Sequence, residues 1–306
     1  KPIKPLARLA DPRQIALRRF FRFFRYLNAK TIWGTIQAAG TQRLPGLASE
    51  MAYNAMLSLF PAILAVLTAI GLFRPLNATF EALTSQLSEV TPTDALWLIQ
   101  GFAEAVGGTR DRGLFSISFG LALWTASGAL AAAMAALDQI HCIPRDQVRP
   151  FWRARLVAVG LTLGAILLLL LALSLMFVSD IAVRELAERS GFLQLELLRF
   201  WRLLTFPLVL LIMSATFGFI YRYGPSHWNP GQPIMPGALI AAGLWALISS
   251  LFRLYVRHFG NYNQVYGTVG AVIVLMLWLY LSSLVLLIGD QLNVTVGSAM
   301  NRRDPA

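Results

Sequence analysis

Residues 156–178 read LVAVGLTLGAILLLLLALSLMFV, an apolar run without one ionisable side chain. Such a run suits ~30 Å of hydrocarbon, which takes about 20 residues of helix with every backbone N–H and C=O bonded inside the segment. Comparable runs recur near 47–73, 114–137, 203–221, 235–256 and 267–289. The pattern predicts an all-α, polytopic membrane protein of six transmembrane helices, one integral membrane domain over residues 1–306. Composition agrees: 13% of the residues are charged, against about 25% in a typical soluble domain. No repeat, low-complexity tract or domain boundary interrupts the chain. The first 46 residues are basic and lack a short apolar core ending in small residues, so no cleavable signal peptide is expected.

A net charge of +11 would suggest nucleic acid in a soluble protein. Here the distribution points to a membrane. With the N-terminus inside, 17 of the 26 Lys and Arg fall in 1–46, 138–155, 222–234 and the C-terminal tail, and the remaining nine in 74–112, 179–202 and 253–266. Anionic lipid and the membrane potential oppose translocation of basic loops. Both termini are therefore expected in the cytoplasm.

Within LRRFFRFFRYLNAK, Leu17 to Lys30, a turn of about 100° per residue puts Arg18, Arg19, Arg22 and Arg25 in one arc. Leu17, Phe20, Phe21, Phe23, Phe24 and Leu27 fill the opposite arc. Leu17 to Lys30 is read as an interfacial amphipathic helix within an amphipathic interfacial segment 14–40, with rings in the acyl boundary and guanidinium groups on lipid headgroups. An arginine-rich RNA-binding segment is the competing reading, which the segregation of rings beside a membrane span disfavours. In the outer loop 74–112, Thr91 as N-cap, Pro92 and Asp94 predict short extracytoplasmic helices. Pro225, Pro230, Pro233 and Pro236 predict a stiff, non-helical connection over 222–237.

Ionisable groups in hydrocarbon are expensive and face a partner or a cavity. Glu50, Asn54 and Ser58, at i, i+4 and i+8 in the first span, share a stripe expected to point into the bundle. Pro61 follows and frees the carbonyl of Leu57. Glu50 has two readings, a working group or a side chain snorkelling to the headgroups. Asp290, in GAVIVLMLWLYLSSLVLLIGDQLN, also has two. It ends a polar track with Tyr280 and Ser283, or it stands hydrated at the cytoplasmic boundary near 286–289, the favoured reading. Ala238, Ala242, Ala246 and Ser250 form a small-residue stripe suited to close helix packing, and the second span offers Trp124, Thr125 and Ser127 on a similar surface. Arg253 and Arg257 stand four apart near the outer face, to bind anionic groups or to anchor.

Catalytic signatures are missing. His141, His227 and His258 are scattered, with no HxH or HExxH spacing, and no GxSxG, P-loop or dinucleotide fingerprint occurs. Cys142 is the only cysteine, which excludes intrachain disulfides and cysteine-cluster metal sites. No metal, cofactor or enzymatic activity is expected.

YNAMLSLFP (Tyr53–Pro61), YRYGPSHWNPGQPIMPGALIAAGLWAL and VRHFGNYNQVYGTVGAVIVLMLWLYLSSLVLLIGDQLN (Val256–Asn293) resemble the YihY/BrkB family of bacterial inner-membrane proteins, over roughly 15–295. The resemblance implies six transmembrane helices with both ends cytoplasmic, in a bacterial inner membrane. Members have been labelled ribonuclease BN or virulence factor BrkB, and some are linked to envelope lipid export. The family's Gly-Ala-Glu-Leu-Asn stands here as Gly289-Asp290-Gln291-Leu292-Asn293, so the family acid aligns with Gln291 and its role does not pass to Asp290 by position.

The leading expectation is a transporter, exporter or flippase-like, for an amphipathic or lipidic substrate. Glu50, Asn54, Ser58 and Asp290 would line the path, with Tyr262, Asn263 and Tyr266 at its outer rim. Membrane lipids are the expected partners, with a homo-oligomer or larger membrane complex left open and no nucleic acid. A non-transporting scaffold or accessory subunit is the alternative. A membrane enzyme comes third, with Glu50 and Asp290 its one nominated pair.

Overall fold

The computed structural model describes residues 20, 22–72, 112–168, 194–227, 232–258 and 262–303. These residues are helices and short connections, with no strand among them. After a helical turn at 22–26 come α1 (Ala29–Thr41), α2 (Leu44–Leu72), α3 (Arg112–Ile140), α4 (Phe151–Leu168), α5 (Gln194–Tyr223), α6 (Met235–His258) and α7 (Tyr262–Arg303). Phe119–Ile140, Phe151–Leu168, Met235–Val256 and Val272–Met300 are each long and apolar enough to cross a membrane, and Pro207–Tyr223 is a shorter apolar helix. The predicted outer-loop helices around Thr91, and residues 169–178 of the third run, lie outside the described residues.

Local signals explain several boundaries. Asn28 caps α1 reciprocally: its side chain accepts from the Thr31 N–H and its own N–H donates to Thr31 Oγ1, each at 3.0 Å. Arg43, at φ 56, turns the chain between α1 and α2 with only Gln42 beside it. The Gln42 carbonyl accepts from Gln139 Nε2 at 2.7 Å, fixing that corner to the end of α3. Pro236 and Gly237 fall in the first turn of α6, so the proline-rich connection ends earlier than predicted.

The helices meet in one core. Leu44, Ala48 and Met51 of α2 pack with Ala133, Ala136, Leu137 and Ile140 of α3, Tyr221 of α5, Ala238, Ala241 and Ala242 of α6, and Val285 to Leu287 of α7. Small side chains at the α6–α7 contact let the backbones close up. A methyl group on Gly289 would sit 2.5 Å from both Ala241 Cβ and Tyr221 Oη. Gly289→Ala is therefore expected to cost about 1–3 kcal/mol of stability. Gly243→Ala, with open space around it, should stay within about 0.5 kcal/mol. Thermal unfolding in detergent separates the two. The alanine stripe is buried at Ala238 and Ala242, but Ser250 is exposed and bonds the Ala246 carbonyl of its own helix.

The N-terminal expectation needs correction. The helix read over Leu17 to Lys30 is interrupted among its described residues, because the chain leaves the helix at Leu27–Asn28 and restarts as α1. Phe23 does not face an acyl boundary either. It is fully buried in the protein against Leu292, Val296 and Met300 of α7. Phe24 remains 40% exposed, and on α1 Ile32, Trp33 and Ile36 form an exposed apolar face. α7 has 42 residues, about 63 Å of helix, and continues as helix past Asp290.

Candidate functional site

Two polar loci lie among the helices. The first is a junction where the ends of α3 and α5, the start of α6 and the middle of α7 converge. Asp290 is 2% exposed, and its Oδ2 lies 2.8 Å from Nε2 of His141, just past α3. His141 Nδ1 is buried without a partner. A neutral imidazole with its proton on Nε2 donates to the carboxylate and leaves only an acceptor unmatched. An imidazolium would strand a buried donor, at higher cost. The hydrated-boundary reading of Asp290 fails here: wherever the membrane surface falls, protein and not water surrounds this carboxylate.

Neighbouring bonds brace the pair. Tyr221 donates to the Leu286 carbonyl at 2.7 Å. Asn293 accepts from the Gly237 N–H at 2.9 Å and donates to the Ile234 carbonyl at 3.1 Å, tying the start of α6 to α7. Asp138 accepts from the backbone N–H and hydroxyl of Ser226, each at 2.6 Å. Arg149 donates to the carbonyls of Gly224 and Pro225 at 2.7 Å. These bonds clamp the α3–α4 connection to the end of α5.

The second locus joins α2, α3 and α4. The Arg155 guanidinium lies 4.6 Å from the Trp124 ring centroid and donates through Nη2 to the Trp124 carbonyl. Its Nε is buried without a partner, and among the described residues no carboxylate pairs with it. Gly128 leaves a notch beside it. A Cβ there would stand 3.4 Å from Asn54 Oδ1 and 4.0 Å from Arg155 Nη1. Asn54 spends its amide on the Glu50 carbonyl at 2.9 Å, leaving Oδ1 turned to the notch. Trp152 adds a second ring, 6.4 Å from Trp124. A cation with spare donors, in a helix apolar enough to cross a membrane, can hold a phosphate or carboxylate through its fork.

The structure thus divides the sequence candidates. Asn54 is brought to Arg155. Ser58 is buried and bonds the Ala55 carbonyl of its own helix, while Glu50 is exposed, so the stripe enters the bundle only in part. Glu50 and Asp290 do not pair, since Asp290 is taken by His141. Tyr262, Asn263 and Tyr266 lie in the first turns of α7, but their side chains are outside the described residues, as are Arg18 and Arg19. Arg22 and Arg25 are exposed. Among the described residues no three His, Cys, Asp or Glu side chains come together as metal ligands.

Sequence reasoning missed Arg155 and His141. Arg155 was counted as a loop charge because the third apolar run begins one residue after it. An arginine one turn into a helix is nonetheless an intramembrane candidate. His141 gave no local signal, its partner being 149 positions away.

Apolar helices of membrane length, with ionisable groups held between them, define an all-helical membrane protein. A family model described as Virulence factor BrkB matches residues 35–306, and the chain belongs to that family. It is 31% identical over 245 residues to the ribonuclease-like protein YfkH of Bacillus subtilis, spanning 80% of this chain and 87% of the relative. It is 28% identical over 289 residues to a UPF0761 membrane protein of Tolumonas auensis, spanning 92% and 86%. A UPF0761 membrane protein of Cronobacter sakazakii is 26% identical over 289 residues, spanning 90% and 91%. No solved structure matches the chain.

Proposed function

We propose that this chain is a transporter, of exporter or flippase type, for an anionic amphipathic substrate of lipid character in a bacterial inner membrane. One observation carries the reading: Arg155, in a helix fit to cross the membrane, has no carboxylate partner among the described residues and faces the Gly128 notch beside Asn54. An uncompensated guanidinium at such a place is costly unless a ligand completes it. In this reading six helices span the bilayer with both termini cytoplasmic, as the basic residues favour. The junction lies at the cytoplasmic end, and the exposed Ile32, Trp33 and Ile36 face of α1 rests in the interface. No enzymatic step is involved. The ribonuclease-like name belongs to the Bacillus relative, and this reading does not draw on it.

Reconstitution with labelled phosphatidylglycerol tests the path. Asn54→Leu, which replaces the free amide oxygen by a methyl-bearing side chain, is expected to slow transfer about tenfold. Glu50→Gln is expected to slow it less, since Glu50 is exposed and outside the notch. Full transfer by both variants would remove these residues from the path.

A second reading, a non-transporting scaffold, also has support. Alanine and leucine pack α2 against α3, and neither described groove reaches Glu50, Asn54 or Ser58. It predicts that Arg155 serves only to hold α4 on α3.

A further inference from the structure

Away from both loci, α6 and α7 are parted by an open groove of about 580 Å³. One wall is the row Trp245, Ser249 and Arg253 of α6, and the other is Val274, Leu275 and Trp278 of α7. The row repeats every four residues, so its side chains stack along one helix face. Polarity rises along it. Trp245 and Trp278 meet edge to face at 6.2 Å, and Trp245 Nε1 is already spent on Ser282 at 3.1 Å, so the floor is rigid and apolar. Ser249 brings a hydroxyl one turn higher. Arg253 ends the row, exposed and without a carboxylate partner among the described residues. Arg253 stands about 27 Å along α6 from Met235, close to a full hydrocarbon thickness from the junction.

We infer that this groove seats one anionic glycerophospholipid, its phosphate on Arg253, its ester region beside Ser249 and an acyl chain over the tryptophan floor. The order of charge, hydroxyl and apolar surface with depth is the order in which such a lipid presents its own groups. Phe252 borders this groove and a second, mainly apolar one of about 310 Å³ that includes Ile248 and Leu281, which offers a wall to the other chain. A second copy of the protein is the rival occupant, and it would not make labelling depend on the lipid headgroup. The seat requires only the membrane placement. Treating its lipid as the transported substrate rests on the transport reading.

The test uses the full chain in phosphatidylcholine nanodiscs containing phosphatidylglycerol with a diazirine in one acyl chain, followed by peptide mapping of the adducts. Adducts are expected within 245–256 and 274–278. Arg253→Ala should lower them about fivefold, and Arg253→Lys should keep them within about twofold. A phosphatidylcholine probe should label the same peptides several-fold less. Equal labelling by the two lipids, unchanged labelling in Arg253→Ala, or no adducts within 245–256 and 274–278 would each overturn the proposal. Arg155→Ala separates the two readings, being expected to slow transfer about 10- to 100-fold while leaving groove labelling intact. Labelling of the groove in a chain that moves no lipid would sink transport and keep the seat.

Discussion

His141→Ala is expected to destabilise the folded chain by about 3–5 kcal/mol, the usual consequence of stranding one member of a buried polar pair. Asp290→Ala should cost less, about 1–3 kcal/mol, because it strands no charge and only leaves His141 Nε2 beside Nδ1 as a buried, unmatched nitrogen. Losing both at once should cost much less than the sum. In the double variant His141→Leu with Asp290→Leu, apolar side chains fill the site and most of the loss is recovered. Asp290→Asn keeps a hydrogen-bonding partner for Nε2 and should fall between. Thermal unfolding of the native chain, His141→Ala, Asp290→Ala and the double variant carrying both alanines, in one detergent, gives the coupling directly. A coupling below about 0.5 kcal/mol would mean that the 2.8 Å contact does not hold the junction together.

Arg155→Ala carries the second large effect, and it falls on function more than on fold. Stability should drop by only about 1–2 kcal/mol, from the lost contact with Trp124 and its carbonyl. Transfer of an anionic lipid should fall about 10- to 100-fold, the value of one charge-assisted hydrogen-bonding group facing the ligand. Arg155→Lys retains the charge without the planar fork and should recover part of the rate. The scaffold reading predicts the reverse pattern, a stability loss shared by both variants and no selective effect on any lipid.

Apolar length was the most legible property of this chain, and every run read as a span falls on a helix wherever it is described. Hydropathy says less at the ends. Counting 20 residues from Gly267 places the end of the hydrocarbon near Gly289, and beyond it Leu292, Val296 and Met300 form an i, i+4, i+8 apolar row that Phe23 covers. That row was visible, but its partner was assigned to lipid. Charge misled at Arg155, since a basic residue at the edge of an apolar run reads as loop. Nothing local could pair His141 with Asp290, or turn Asn54 and Gly128 toward Arg155, because those contacts are made only by helix packing.

The most direct measurement is the rate at which fluorescent phosphatidylglycerol crosses the bilayer of liposomes holding the folded chain, with and without a proton gradient, beside the same label on phosphatidylcholine. The account predicts faster crossing of phosphatidylglycerol than in protein-free liposomes, a clear preference over phosphatidylcholine, and loss of both in Arg155→Ala. Crossing no faster than in protein-free liposomes, under either condition and with the chain folded, would contradict it.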